Sequence, residues 1–146
     1  MPDTVNVFLE YIWIDNNNGL RSKTKVHPIN LNNLLELKPE FLPEWNYDGS
    51  STNQASGVDS EVILKPRAIF NDPFRECNHK LILCDTWTPD NKPLKSNNRE
   101  WANNIFNKKL DEKPWFGLEQ EYFMINKKTY LPLGFTEDNN YQFENA

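Results

Sequence analysis

The rhythm of hydrophobic and polar positions changes along the chain, and each rhythm predicts an element. Residues 8–14 are dense in aromatic and β-branched side chains, the composition of a strand. Asn16-Asn17-Asn18-Gly19 supplies turn residues that accept positive φ. Residues 20–26 then alternate basic or polar positions with apolar ones and threonine, so a β-hairpin opens the chain. Residues 31–37 read as a short helix closed off by Pro39, and residues 41–52, which mix proline, glycine and serine with large aromatics, as a structured loop. Residues 61–64 and 80–86 are further strands, joined through the turn-rich stretch Phe70-Asn71-Asp72-Pro73-Phe74-Arg75.

The pattern shifts at Pro89-Asp90-Asn91-Lys92-Pro93, a polar, proline-bearing stretch of linker type. Beyond it, Asn97 and Glu100 have capping-box spacing, and Trp101, Ile105 and Leu110 recur at near-helical intervals. An amphipathic helix of about three turns is expected there, with Pro114 ending it. Residues 116–125 read as a strand and residues 130–135 as its hairpin partner; the tail, 136–146, is polar and aperiodic. The expected fold is α+β: a small mixed β domain over residues 5–91, a boundary at 91–97, and the start of a second unit over 98–146.

Composition narrows the class. The 146 residues include 38% hydrophobic and 25% charged, which supports a packed core. The net charge of -5 argues against nucleic-acid binding. No apolar run approaches the ~20 residues of a membrane span, and the N-terminus lacks the basic start and apolar core of a secretory signal. Cys77 and Cys84 have no partners at metal spacing and read as reduced thiols, Cys84 as a small buried hydrophobe. A cytoplasmic protein is expected.

Three sets of residues carry candidate chemistry. On a strand over residues 116–125, side chains alternate faces, so Glu119 and Glu121 point to the same side with Cα atoms ~6.7 Å apart. Two carboxylates so placed repel unless a cation lies between or above them, and their oxygens suit hard ions such as Mg²⁺ or Mn²⁺. The plainer alternative is a pair of solvated glutamates on an exposed face. Asp48 lies between Tyr47 and Gly49-Ser50-Ser51, in a loop whose backbone N–H groups can hold an ionised carboxylate able to bind a cation or ammonium and accept a proton. Its plainer reading is an Asx-turn aspartate beside a glycine. His27, His79 and Trp115 offer less: the histidines have no second ligand at metal spacing and read as surface residues, Trp115 as a core or interface aromatic. Glycine-rich phosphate loops and the nucleophile elbow are absent from the sequence.

Taken in order, several motifs resemble one family. They are Tyr11-Ile12-Trp13-Ile14-Asp15, Gly19-Leu20-Arg21-Ser22-Lys23-Thr24, Leu42-Pro43-Glu44-Trp45-Asn46-Tyr47-Asp48-Gly49-Ser50-Ser51-Thr52, Asp72-Pro73-Phe74-Arg75, Leu81-Ile82-Leu83-Cys84-Asp85 and Pro114-Trp115-Phe116-Gly117-Leu118-Glu119-Gln120-Glu121-Tyr122. Together they resemble the first part of eukaryotic-type glutamine synthetases, over roughly residues 11–135. The resemblance implies a β-grasp domain followed by the start of a catalytic domain. It implies ATP-dependent ligation of ammonia to L-glutamate through γ-glutamyl phosphate, with Mg²⁺ or Mn²⁺ neutralising charge during phosphoryl transfer. By resemblance, Glu119 and Glu121 match metal ligands at two neighbouring sites, and Glu119 also lies beside the nucleotide phosphates. Asp48 matches the loop aspartate that binds and deprotonates ammonium, and Trp115 an aromatic near the nucleotide. The family builds each active site between subunits, so Asp48 and Glu119 would serve different sites, in a homo-oligomer or among full-length synthetase subunits.

The family's catalytic domain continues well beyond the motifs matched here, carrying the remaining metal ligands and most of the nucleotide pocket. The expectation is therefore a truncated synthetase that is inactive alone. The alternative from another class is a non-enzymatic module or regulator that docks on a full-length synthetase.

Overall fold

A computed structural model describes residues 4–75, 77–135 and 138. The chain divides into two compact units, Met1–Leu110 and Asp111–Ala146. The boundary expected at residues 91–97 falls inside the first of them.

The first unit is built on a five-stranded mixed sheet of order β2-β1-β5-β4-β3. Its strands are β1 (Thr4–Ile14), β2 (Leu20–Asn30), β3 (Trp45–Asp48), β4 (Glu61–Asn71) and β5 (Lys80–Trp87). With the helix α1 (Asn98–Phe106) and short 3-10 turns, this is an α+β arrangement. The opening hairpin pairs Thr4 with Asn30 through to Ile14 with Leu20, longer at its open end than the sequence pattern marks. Its tip is organised by Asp15, which is 2% exposed and accepts hydrogen bonds from Asn17 N, Gly19 N and Arg21 Nε, each at 2.8 Å. Asn18 takes the left-handed φ of 62° that asparagine tolerates.

Alternation along β1 sends Val7, Leu9, Tyr11 and Trp13 inward, where they meet Ile29, Leu34, Leu42, Leu64, Ile82 and Cys84. Burying each large side chain contributes about 1.5–3 kcal/mol. Cys84 is the small buried hydrophobe that its apolar run suggests, and burial pushes its thiol up to about 12. β1 and β5 run parallel from Leu9 opposite Lys80 to Ile12 opposite Leu83. Just before that ladder, His79 stacks on Phe8 at 4.5 Å, and its Nδ1 accepts from Phe8 N at 2.9 Å. This histidine thus satisfies a backbone N–H within β1 at the start of the β5 ladder rather than standing as a free surface residue.

The sheet curls until side chains from its opposite edges meet. Tyr11 packs edge-on against Trp45 with ring centres 5.4 Å apart, and its hydroxyl donates to Pro43 O at 2.7 Å. Lys23 of β2 lies 3.7 Å from the centre of the Trp45 ring and donates to Asn46 O at 2.8 Å. A lysine on an edge carbonyl is one way to blunt a strand edge against further pairing.

Four expectations change in this unit. The structured loop over residues 41–52 contains β3, a four-residue strand defined by its pairing with β4 rather than by local pattern. β4 runs past residue 64 to Asn71, passing Pro66 through a register shift between Pro66 and Ala68. A proline supplies no ladder N–H, so a bulge lets the strand continue. The helix expected over residues 31–37 is a single 3-10 turn, Leu31–Asn33, capped by the Asn30 side chain. α1 begins where its cap predicts, with Asn97 Oδ1 accepting from Glu100 N at 3.1 Å, but it ends at Phe106. Leu110 lies in a separate 3-10 turn, Leu110–Glu112, and Trp101 and Ile105 are exposed.

In the second unit, the hairpin turn expected between residues 125 and 130 forms. Asn126 N donates to Leu131 O at 2.9 Å and Leu133 N to Met124 O at 2.7 Å, with Ile125 bridged to Pro132. The strand expected over residues 116–125 is not formed. A strand takes its hydrogen bonds from a neighbour, and the 130–135 arm reaches back only as far as Met124. Most of the tail, residues 136, 137 and 139–146, lies outside the described residues. Among the described residues no helix is long and apolar enough to cross a membrane.

Candidate functional site

Asp48 ends β3 and caps the 3-10 turn Gly49–Thr52. Its Oδ1 accepts from Ser50 N at 2.9 Å and from the Ser50 hydroxyl at 2.6 Å. The Ser51 hydroxyl donates to the Asp48 carbonyl at 3.1 Å. Asp48 is solvent-exposed. The Ser50 side chain, then its backbone N–H, then the Ser60 side chain hold its carboxyl below the ordinary 3.8. Asp48 is a capping aspartate of Asx type, and it is also an ionised, oriented carboxylate presented to solvent.

The turn is fixed from below by packing. A Cβ on Gly49 would lie 2.5 Å from Val62 Cγ2 and 3.0 Å from Ala55 Cβ, so only glycine fits there. Gly49 N donates to Ser60 O at 2.6 Å, and Gly49 O accepts from Gln54 N at 2.8 Å. Asn53 closes the turn with a left-handed φ of 56°. Asn16 N donates to Thr52 O at 3.3 Å, which ties the turn to the tip of the opening hairpin. Beneath it, Tyr47 stacks on Trp13 with ring centres 4.4 Å apart, and burial pushes the Tyr47 hydroxyl up to about 12.

Trp115, Glu119 and Glu121 belong to the second unit. Trp115 is 96% exposed, and both glutamates are exposed. Neither glutamate makes a hydrogen bond or ion pair among the described residues, and residues 117–123 donate no backbone hydrogen bond there. Their side-chain oxygens suit Mg²⁺ or Mn²⁺ in kind, but an octahedral Mg²⁺ takes about six oxygen ligands. Among the described residues no three His, Cys, Asp or Glu side chains gather as a metal site. The strand that would set both carboxylates on one face is not formed, and no third such side chain stands with them among the described residues.

Sequence reasoning passed over Ser50 as the partner of Asp48. An Asp-x-Ser spacing ahead of a turn is the signal that marks it. It also passed over Asp15, whose Asp-x-Asn spacing carries the same local signal, and Gln54, whose contacts to Ile14 and Ser96 are visible only in space.

No family model matches the chain. Individual relatives do. It is 49% identical over 138 residues to a protein of Arabidopsis thaliana named "Glutamine synthetase cytosolic isozyme 1-5", covering 92% of this chain and 37% of that one. It is 48% identical over 137 residues to "Glutamine synthetase cytosolic isozyme" of Daucus carota, covering 92% of this chain and 38% of the relative. It is 50% identical over 136 residues to "Glutamine synthetase, chloroplastic/mitochondrial" of Arabidopsis thaliana, covering 91% and 30%. The chain thus spans about a third of the length of the curated relatives it matches. With half the aligned positions identical across nine-tenths of its own length, the chain belongs to the glutamine synthetase family.

Proposed function

We propose that the chain carries the ammonium-handling loop and the first metal-binding segment of an enzyme that ligates ammonia to L-glutamate, with ATP activating the γ-carboxyl as a phosphate. The observation that supports this best is Asp48, exposed, ionised and oriented by Ser50 in the loop the family motif marks. A carboxylate held below its ordinary pKa is a weak base but a good ligand for a cation. Asp48 would therefore act first by binding ammonium, then take one of its protons to free the ammonia whose lone pair attacks the activated carboxyl as phosphate leaves. Glu119 and Glu121 would supply part of the coordination of Mg²⁺ or Mn²⁺, whose chemistry is to neutralise charge on the transferring phosphoryl group. Trp115 presents an exposed aromatic face to a nucleotide.

The first unit reads as a β-grasp domain over residues 5–91, with the family's catalytic domain beginning over 98–146. The 146 residues by themselves would not make glutamine on this reading, since Glu119 and Glu121 have no third His, Cys, Asp or Glu gathered with them among the described residues. A homo-oligomer or joint assembly with full-length synthetase subunits would be needed, in the cytoplasm, as for the cytosolic isozymes among the relatives.

Substituting these residues for the matching segment of an active relative tests the reading. The chimera should make glutamine. Asp48→Asn should lower kcat/KM for ammonium by about 10²-fold or more, the scale of a lost acid–base group, with glutamate KM little changed. Unaltered ammonium dependence in that variant would refute the role given to Asp48.

The second reading is a non-enzymatic module docking on a full-length synthetase. It is favoured by the exposed Trp115, Leu118, Tyr122 and Phe123 of the second unit, apolar surface of the kind that marks an interaction site. Co-purification with a complete synthetase would support it, provided the chimera is inactive.

A further inference from the structure

Gln54 follows the Asp48 turn in the chain and is half-buried. Its side-chain amide is fully engaged. Oε1 accepts from the Tyr47 hydroxyl, while Nε2 donates to Ile14 O at 3.2 Å and to Ser96 Oγ at 2.9 Å. Its backbone N–H donates to Gly49 O at 2.8 Å. An amide has two donor hydrogens and one acceptor oxygen, and here all are used.

The partners matter because of where they sit. Tyr47 immediately precedes Asp48, so the amide joins the two ends of the stretch that contains the turn. Ile14 is the last residue of β1. Ser96 adjoins Asn97, the α1 cap, whose Nδ2 donates to Thr86 O at 3.0 Å. One side chain thus fastens the Asp48 turn to β1, to β3 and to the entry of α1. Ser50 aims the carboxylate locally, but nothing in that local contact fixes the turn to the sheet.

We infer that Gln54 is the positioning residue for Asp48, holding the turn closed through Tyr47 and anchoring it to Ile14 and Ser96. It acts through the turn, so it needs no contact with a reactant. The inference takes its functional meaning from the reading of Asp48, but its test reads the loop directly. Failure of Asp48→Asn in the chimera would leave that test's result standing.

The experiment is NMR on the purified chain with Gln54→Ala, following amide exchange and the Asp48 side-chain carboxyl titration. Gly49 and Ala55 amides should exchange about tenfold faster, the scale expected from loss of one or two net hydrogen bonds. Amides of β1 and β5 should keep their rates. The Asp48 titration should move up toward the ordinary 3.8, while Asp90, whose carboxyl is held down by Lys92 and Thr88, stays in place. Unchanged Gly49 and Ala55 exchange would overturn the inference. So would uniform acceleration across β1 and β5 with the Asp48 titration unmoved, since that describes a residue of general stability only. Should Gln54→Ala fail to fold, Ser96→Ala removes one anchor alone. A smaller acceleration at the same two amides then supports the inference, and no change there overturns it.

Discussion

Asp48 stands on a turn fastened to its neighbours from several directions. Glu119 and Glu121 stand on a stretch that pairs with nothing among the described residues. The first carboxylate has Ser50 on its oxygen, a packed glycine behind it, and hydrogen bonds from the turn to β1 and the opening hairpin. The second pair has solvent around it. The difference lies in how each segment satisfies its backbone. A 3-10 turn closes its own hydrogen bonds within a few residues, whereas an extended segment must borrow them from a partner strand. The Asp48 carboxylate is therefore held in place within the first unit, while residues 117–123 donate no backbone hydrogen bond among the described residues.

Substitutions should separate the two regions most sharply in the core. Leu64→Ala, at a fully buried position, should cost about 2–5 kcal/mol in denaturant unfolding. Leu118→Ala, at a position 98% exposed, should stay within about 0.5 kcal/mol. Comparable losses at both would mean that the second unit packs a core of its own.

The glycines repeat the contrast at smaller scale. Gly49→Ala drives a methyl against Val62 and should cost about 1–3 kcal/mol by overpacking. A Cβ at Gly117 meets nothing within 4 Å, so Gly117→Ala should be neutral within about 0.5 kcal/mol by the same assay. Removing one hydroxyl should show less again. Tyr11→Phe loses the bond to Pro43 O and should cost about 0.5–1.5 kcal/mol. Tyr122→Phe, at an exposed position, should leave the unfolding midpoint unchanged.

Acid provides the gentlest probe. Glu10, Asp15, Asp48, Asp72 and Asp90 all have carboxyls held down, chiefly by arginine, serine or lysine partners or, for Asp72, by the Phe74 N–H and Arg75 against its own burial. A carboxyl depressed in the folded state stabilises the fold above its unfolded value and loses that contribution as pH falls through its folded value. The first unit should hold its stability above the ordinary carboxylate values of 3.8 and 4.5 and lose it progressively below them. Circular dichroism melts across that range check this, and a flat profile down to strong acid would contradict it.

Much of the first unit is legible in sequence because its signals are local. Aromatic and β-branched alternation marks β1, the asparagine run marks its turn, and Asn97 with Glu100 marks the start of α1. β3 is hidden because four residues carry too little pattern, and only the register with β4 defines them. β4 is underestimated because Pro66 mimics a stop. The 116–125 segment shows the reverse error. Its composition is that of a strand, but composition records a preference to pair and cannot supply the partner. Asp48 could be singled out from its loop. Ser50 is marked locally by its spacing, whereas the anchors of Gln54, Ile14 and Ser96, lie in other elements and leave no local mark.

The Asp48 turn closes its hydrogen bonds within the chain itself, whereas the Glu119/Glu121 segment donates none among the described residues. Amide hydrogen exchange on the purified chain tests both halves at once. Amides of Gly49, Gln54 and Ala55 should be protected together with β1, β4 and β5, and those of residues 117–123 should exchange close to unstructured rates. Protection across residues 117–123 comparable to β1, or none at Gly49, would contradict the account.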